Sequence, residues 1–269
     1  MRFEKFRSIL EYNCRHQNDI AEKVRDFYFQ MNMSYERDLL NLMMVVRPLF
    51  NKMNYLVMEM PFKDEEIGAI SYKVDYYGYT ILNSSLPKVN VNFALAHEIY
   101  HVFYQQVLSG KKVELYMNEH YYEYKEEWAA NLFAGILLMP TPSFIEMFRK
   151  FEKEQGERDT HITILVKLMN YFEVPYMAVV IRAYELELLP DGDLLQKLLN
   201  VSRQMIEDEF AKFWLDERIL QATGRDDFVR LEQAVKQIGT QYEREDILAP
   251  VTTTTILSNM RKIYAEIRG

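Results

Sequence analysis

The amino-acid sequence predicts an α+β fold in which a small sheet sits among helices and a long helical region follows. Three observations carry that prediction. Apolar residues recur at three- and four-residue steps through most of the chain, which is the helical period. Residues 55–82 break this pattern into short runs rich in Tyr, Val and Ile with turn residues between them, the habit of strands. No internal repeat and no low-complexity linker divides the chain.

The elements follow in order. Residues 3–29 read as an amphipathic helix with Phe3, Phe6, Ile9, Leu10, Ile20, Val24 and Phe27 on its core face. Residues 34–54 read as a second helix, with a break before Pro48 because proline disfavours helical geometry in the residue preceding it. Strands are expected at 55–60, 67–75 and 77–82, with a turn at Tyr76-Tyr77-Gly78. A helix capped by Asn90 or Asn92 should run over 93–108 and stop near Gly110. Phe93, Ala96, Tyr100, Phe103 and Val107 form its core stripe, widened by Leu95, Ile99 and Val102. A further helix begins near Glu126, carries Trp128, Leu132, Phe133, Ile136 and Leu137, and ends at Met139-Pro140.

Between 162 and 189 two helices meet at Glu173-Val174-Pro175, where proline suits the first turn of the second. Pro190-Asp191-Gly192 marks the best boundary. Beyond it, helices are expected over 193–220, 226–242 and 254–267, with the threonines at 252–255 capping the last and Phe210, Phe213 and Trp214 as core. The organisation is thus an N-terminal helix (1–30), a core (31–160), a helical pair packed on it (161–190) and a helical extension (191–269).

Composition narrows the function. A chain of 269 residues can bury a sizeable core, and 49% hydrophobic with 27% charged residues is ordinary for a globular protein. The net charge of −8, with a pI near 5.3, argues against broad binding to a phosphate backbone. None of the 9 glycines makes a phosphate-cradling loop; Gly110-Lys111-Lys112 lacks the spaced glycine before it. Cys14 is the lone cysteine, so no internal disulfide and no cysteine-rich zinc module is expected. The start Met-Arg-Phe-Glu-Lys-Phe-Arg places charges where a signal peptide needs an apolar core, and no apolar run approaches the ~20 residues that cross a bilayer. A cytoplasmic protein is expected.

The chemistry concentrates at His97-Glu98-Ile99-Tyr100-His101. Residues four apart on a helix stand one turn over the other, so His97 and His101 can offer two imidazoles to one metal ion. Glu98 lies beside that pair and can take a proton from a water on the ion. Two neutral imidazoles suit Zn2+, and an interior site for two polar rings wants such a partner. A third ligand is expected from the next helix, where Glu127 and Asn131 share a face. Glu127 can complete the set while Asn131 reaches a ring nitrogen of a ligating histidine, leaving the fourth position open as catalytic zinc requires.

Ala-His-Glu-Ile-Tyr-His, followed downstream by Glu-Trp-Ala-Ala-Asn-Leu-Phe-Ala-Gly-Ile-Leu-Leu-Met-Pro, resembles the ImmA/IrrE family of zinc metallo-endopeptidases. The likeness extends upstream to Ile81-Leu82-Asn83 and downstream to about Leu189. It departs from the family at Ile99-Tyr100, where members often carry Leu-Gly. The resemblance implies a zincin-like core, one zinc per chain on His97, His101 and Glu127, and Glu98 as general base. It further implies a bacterial regulatory protease whose protein substrate is a transcriptional repressor or other regulator.

A group that stabilises the tetrahedral oxyanion is also expected, with His120, Tyr121, Tyr124, Tyr104 and His161 as candidates. The strand holding residues 79–82 offers an edge on which an extended substrate can pair. Two other readings stand beside the protease: a zinc-containing binding module without proteolysis, and a DNA-binding regulator using 162–189. The second of these is disfavoured because the last helix of that pair sets only Arg182 against Glu185 and Glu187.

Overall fold

The computed structural model describes residues 1–34, 38–39, 41–74, 77–104, 112–116, 125–154, 156, 160–190 and 192–268. The first helix, α1 (Phe3–Gln30), buries Phe6, Ile20, Val24 and Phe27 along one stripe, close to the span expected. The second, α2 (Leu42–Lys52), starts later than expected and runs unbroken through Pro48. Proline inside a helix costs ~3 kcal/mol, but the flanking Val46 and Phe50 are fully buried, and two such side chains return about 1.5–3 kcal/mol each. Tertiary burial therefore outweighs the local break.

Four strands form one sheet in the order β1-β3-β2-β4: β1 (Tyr55–Met60), β2 (Ile67–Val74), β3 (Tyr77–Asn83) and β4 (Lys112–Tyr116). The pairing of β1 with β3 is parallel, and β2 runs antiparallel to both β3 and β4. The strand expected to offer a free edge, β3, is therefore interior, and both its ladders are filled. Fully buried Asn83 ends it, accepting from the backbone N–H of Phe62 and Ser85 and donating to the carbonyls of Asp64 and Ile67. β4 had no sequence expectation.

Alternation along the strands gives the sheet two apolar faces. Tyr55, Val57, Ala69 and Leu82 join the main core, whereas Met58, Met60, Ile70 and Ile81 form a second cluster with Phe62 and Phe228. Against the first face lies α3 (Lys88–Tyr104), which is buried on most sides. It begins two residues before Asn90. Asn92 is inside the helix, where its amide donates to the Glu173 carbonyl and carboxylate, so neither asparagine is the cap. The expected end near Gly110 lies outside the described residues.

Next, α4 (Lys125–Leu138) packs on α3 and α1, and Pro140 turns the chain by 62° into α5 (Thr141–Lys153). The helical pair is α6 (His161–Phe172) and α7 (Tyr176–Glu185), bent by 109° at Glu173, whose backbone is left-handed (φ 51°). No single helix among the described residues is long and apolar enough to cross a membrane.

After Pro190 the expected helix over 193–220 is three pieces. These are α8 (Asp193–Leu199), α9 (Arg203–Phe213) and a 3-10 turn (Glu217–Leu220). Ser202 restarts the helix by accepting from the Met205 N–H. Trp214 ends α9 in the left-handed region (φ 55°), which turns its ring outward; it is 94% exposed, while Phe210 is buried. Trp214 is thus a surface residue and not core.

The last two helices, α10 (Phe228–Arg244) and α11 (Pro250–Arg268), cover the second face of the sheet through Phe228, Leu231, Met260, Tyr264 and Ile267. The 252–255 threonines lie within α11; Thr254 and Thr255 bond back to the carbonyls of Pro250 and Val251. Pro250 already supplies the helix start, so no threonine caps it.

Candidate metal centre

The period of α3 puts His97 and His101 one turn apart on the face turned to α4. Both rings are fully buried, and their Nε2 atoms stand 2.8 Å apart. From α4, Glu127 reaches in so that its carboxylate oxygens lie 3.2 Å from His97 Nε2 and 3.6 Å from His101 Nε2. Only Glu127 retains some exposure, at 18%.

Three electron-rich atoms facing one another repel unless a positive charge lies among them. Donors on a tetrahedral Zn2+ with bonds of about 2.0–2.1 Å stand about 3.3 Å apart, and the three separations here bracket that value. The atoms of His97, His101 and Glu127 all fall within 4.8 Å of one another, so the set can hold one ion. Burial pushes the Glu127 carboxyl up, but the His101 and His97 rings beside it outweigh that and hold the group well below the ordinary carboxylate range.

One turn beyond Glu127, Asn131 Oδ1 accepts from His97 Nδ1 at 3.0 Å. That contact fixes the proton on Nδ1 and turns the Nε2 lone pair toward Glu127 and His101. Glu98 follows His97 on α3 and points to the sheet, fully buried. Its Oε2 accepts from Ser71 Oγ on β2, which also lies 2.8 Å from Thr80 Oγ1 on β3, while Oε1 has no hydrogen-bond partner. Ser71 and Thr80 were not singled out in the sequence. Their signal is a polar residue at an inward strand position, and it appears only once the pairing is known.

Of the candidate oxyanion groups, the two that are described, Tyr104 and His161, do not gather at these donors. Tyr104 donates its hydroxyl to the Lys23 carbonyl (2.7 Å) and Asp26 (2.9 Å) on α1; burial, reinforced by the Asp26 carboxylate, pushes that phenol far up. His161 is exposed at the start of α6. His120, Tyr121 and Tyr124 lie outside the described residues. Arg182 of α7 is buried and committed to the Met139 carbonyl, Thr141 and Glu185, so it faces no nucleic acid. An apolar cavity of about 330 Å³ between α1, α4 and α7 touches Asn131, but none of the three donors lines it.

Comparison with known proteins matches the part of the chain that carries this geometry. The family model described as Peptidase_M78: IrrE N-terminal-like domain covers residues 50–184, from the end of α2 to α7. No curated protein matches the chain.

Proposed function

The chain belongs to the Peptidase_M78 family, that of the IrrE N-terminal-like domain, and on that premise we propose that it is a zinc-dependent endopeptidase acting on a specific protein substrate. The observation that carries the reading is the convergence of two buried imidazoles and one carboxylate beside a buried glutamate with a free oxygen. His97, His101 and Glu127 would hold the ion, one per chain. When bound, zinc acidifies a water and polarises the scissile carbonyl.

The remaining steps belong to the protein. Glu98 takes the attacking water's proton at Oε1 and passes it to the departing amide nitrogen, so its two protonation states bracket the reaction. Asn131 keeps the His97 ring in the tautomer that presents Nε2. The burial of both histidines excludes competing water from all but the Glu127 side.

The substrate we propose is a transcriptional repressor or similar regulator in a bacterial cytoplasm. Support comes from the resemblance of the two motif helices to the ImmA/IrrE endopeptidases and from an exposed, unpaired Cys14, which suits a reducing compartment. Glu98→Gln tests the mechanism, because glutamine keeps size and hydrogen bonding but accepts no proton. Against the product of a neighbouring repressor gene, cleavage should fall by ~10²–10⁴-fold or more while zinc stoichiometry stays at wild-type level. Full cleavage by Glu98→Gln would sink the proposal.

A further inference from the structure

On the sheet face that meets α3, the ladder between β2 and β3 turns from apolar to polar beside Glu98. Ala69 pairs with Leu82 across β2 and β3, as the packing demands, but the next inward pair is Ser71 with Thr80. Both are essentially inaccessible to solvent. Burying two hydroxyls where a Val–Val pair would pack costs stability unless each finds a partner. Here they find each other at 2.8 Å, and Ser71 donates onward to Glu98 Oε2.

A hydroxyl has one proton, so the direction of this chain is fixed. Ser71 gives its proton to the carboxylate, and Thr80 must therefore give its own to Ser71. Two hydrogen bonds in series onto an anion strengthen one another. They occupy Oε2 and leave Oε1, which is buried and has no hydrogen-bond partner. The neighbouring residue of α3, His97, is held from the opposite side by Asn131 of α4. Consecutive residues of one helix are thus oriented by two different elements.

We propose that Ser71, backed by Thr80, is a positioning residue for Glu98. The hydroxyl pair ties Oε2 to the sheet so that Oε1 is the one oxygen available to receive a proton. This rests on the reading of Glu98 as the base. Fixing the carboxylate in advance removes rotational freedom that would otherwise be lost in the reaction.

The test uses the full chain loaded with zinc and acetohydroxamic acid as the probe. When that acid chelates zinc its O–H bond breaks, and the proton forms a new O–H bond on the adjacent carboxylate. Affinity therefore reports how well Glu98 is placed, without any need for a substrate. Ser71→Ala should weaken the probe about tenfold, the loss of one hydrogen bond to a charged group, with zinc content unchanged. Ser71→Thr restores the hydroxyl and should bind within about twofold of wild type, and Thr80→Val should fall between the two. Wild-type affinity in Ser71→Ala, or Ser71→Thr as weak as Ser71→Ala, overturns the proposal.

A second measurement separates this from the peptidase reading. Urea unfolding of the metal-free protein with Ser71→Ala, Glu98→Ala and the double variant gives the coupling between the two side chains. Strict additivity removes the contact and with it the positioning role. If the coupling is present but wild type and Glu98→Gln bind the hydroxamate equally, the base assignment of Glu98 is what fails.

Discussion

At the residue scale, the contact between Asn131 and His97 makes the sharpest demand. The amide oxygen is the acceptor that keeps the His97 proton on Nδ1, so its removal frees the ring to flip or change tautomer. Asn131→Ala should lower zinc affinity about 10–100-fold in a competitive chelator titration, while Asn131→Asp, which still accepts, should lose far less. His97→Ala, His101→Ala and Glu127→Ala each remove a ligand and should leave no stoichiometric zinc by elemental analysis. Wild-type metal content in Glu127→Ala would exclude it as third ligand. The proximity of His97, His101, Glu127 and Asn131 was legible because each pair is four residues apart on one helix, and helical spacing is a local property. Ser71 and Thr80 were not, because the face a strand residue occupies is set by register with a partner strand.

At the scale of elements, the Tyr55 ring of β1 lies against Gly78 of β3 more closely than a side chain there would allow. Tyr55 lies over Gly78 in the parallel register, and a Cβ at Gly78 would meet the Tyr55 ring at 2.2 Å. Gly78→Ala must displace a buried aromatic ring, and overpacking of this kind costs about 1–3 kcal/mol. The urea midpoint should fall accordingly, and the loss should shrink in a Tyr55→Ala background, since the two changes share one space. A loss unchanged in that background would mean the ring is not the obstacle. The strands at 55–60, 67–74 and 77–83 were readable from β-branched and aromatic runs, and α1 from its long apolar stripe. Helix α2 through Pro48 and the breaks within 193–220 were not. Burial decides the first, and a serine cap with a left-handed tryptophan decides the others.

At the scale of the whole molecule, the region after Pro190 is part of the same body. Leu195, Leu198, Leu199, Phe210 and Ile219 lie in the main core, and the α10–α11 hairpin roofs the second face of the sheet. Phe228 stacks on Tyr264 with ring centroids 3.9 Å apart, at the joint between hairpin and sheet. Phe228→Ala should cost about 3–5 kcal/mol if the joint cannot collapse, and should lower the melting temperature without changing zinc content. Loss of zinc in a folded Phe228→Ala protein would show that the hairpin reaches the metal centre.

The segment that leads into that hairpin also finishes the sheet. Asp227 takes the Glu59 N–H with its carboxylate and gives its own N–H to the Glu59 carbonyl, both at 2.9 Å, while Arg47 and Arg225 gather on the Glu59 side chain. The backbone of β1 at Glu59 is thereby spent, and β4, on the far side, has no second ladder among the described residues. An exposed strand edge is a template on which a further strand can pair, and at Glu59 the edge of β1 offers an incoming strand neither a free donor nor a free acceptor.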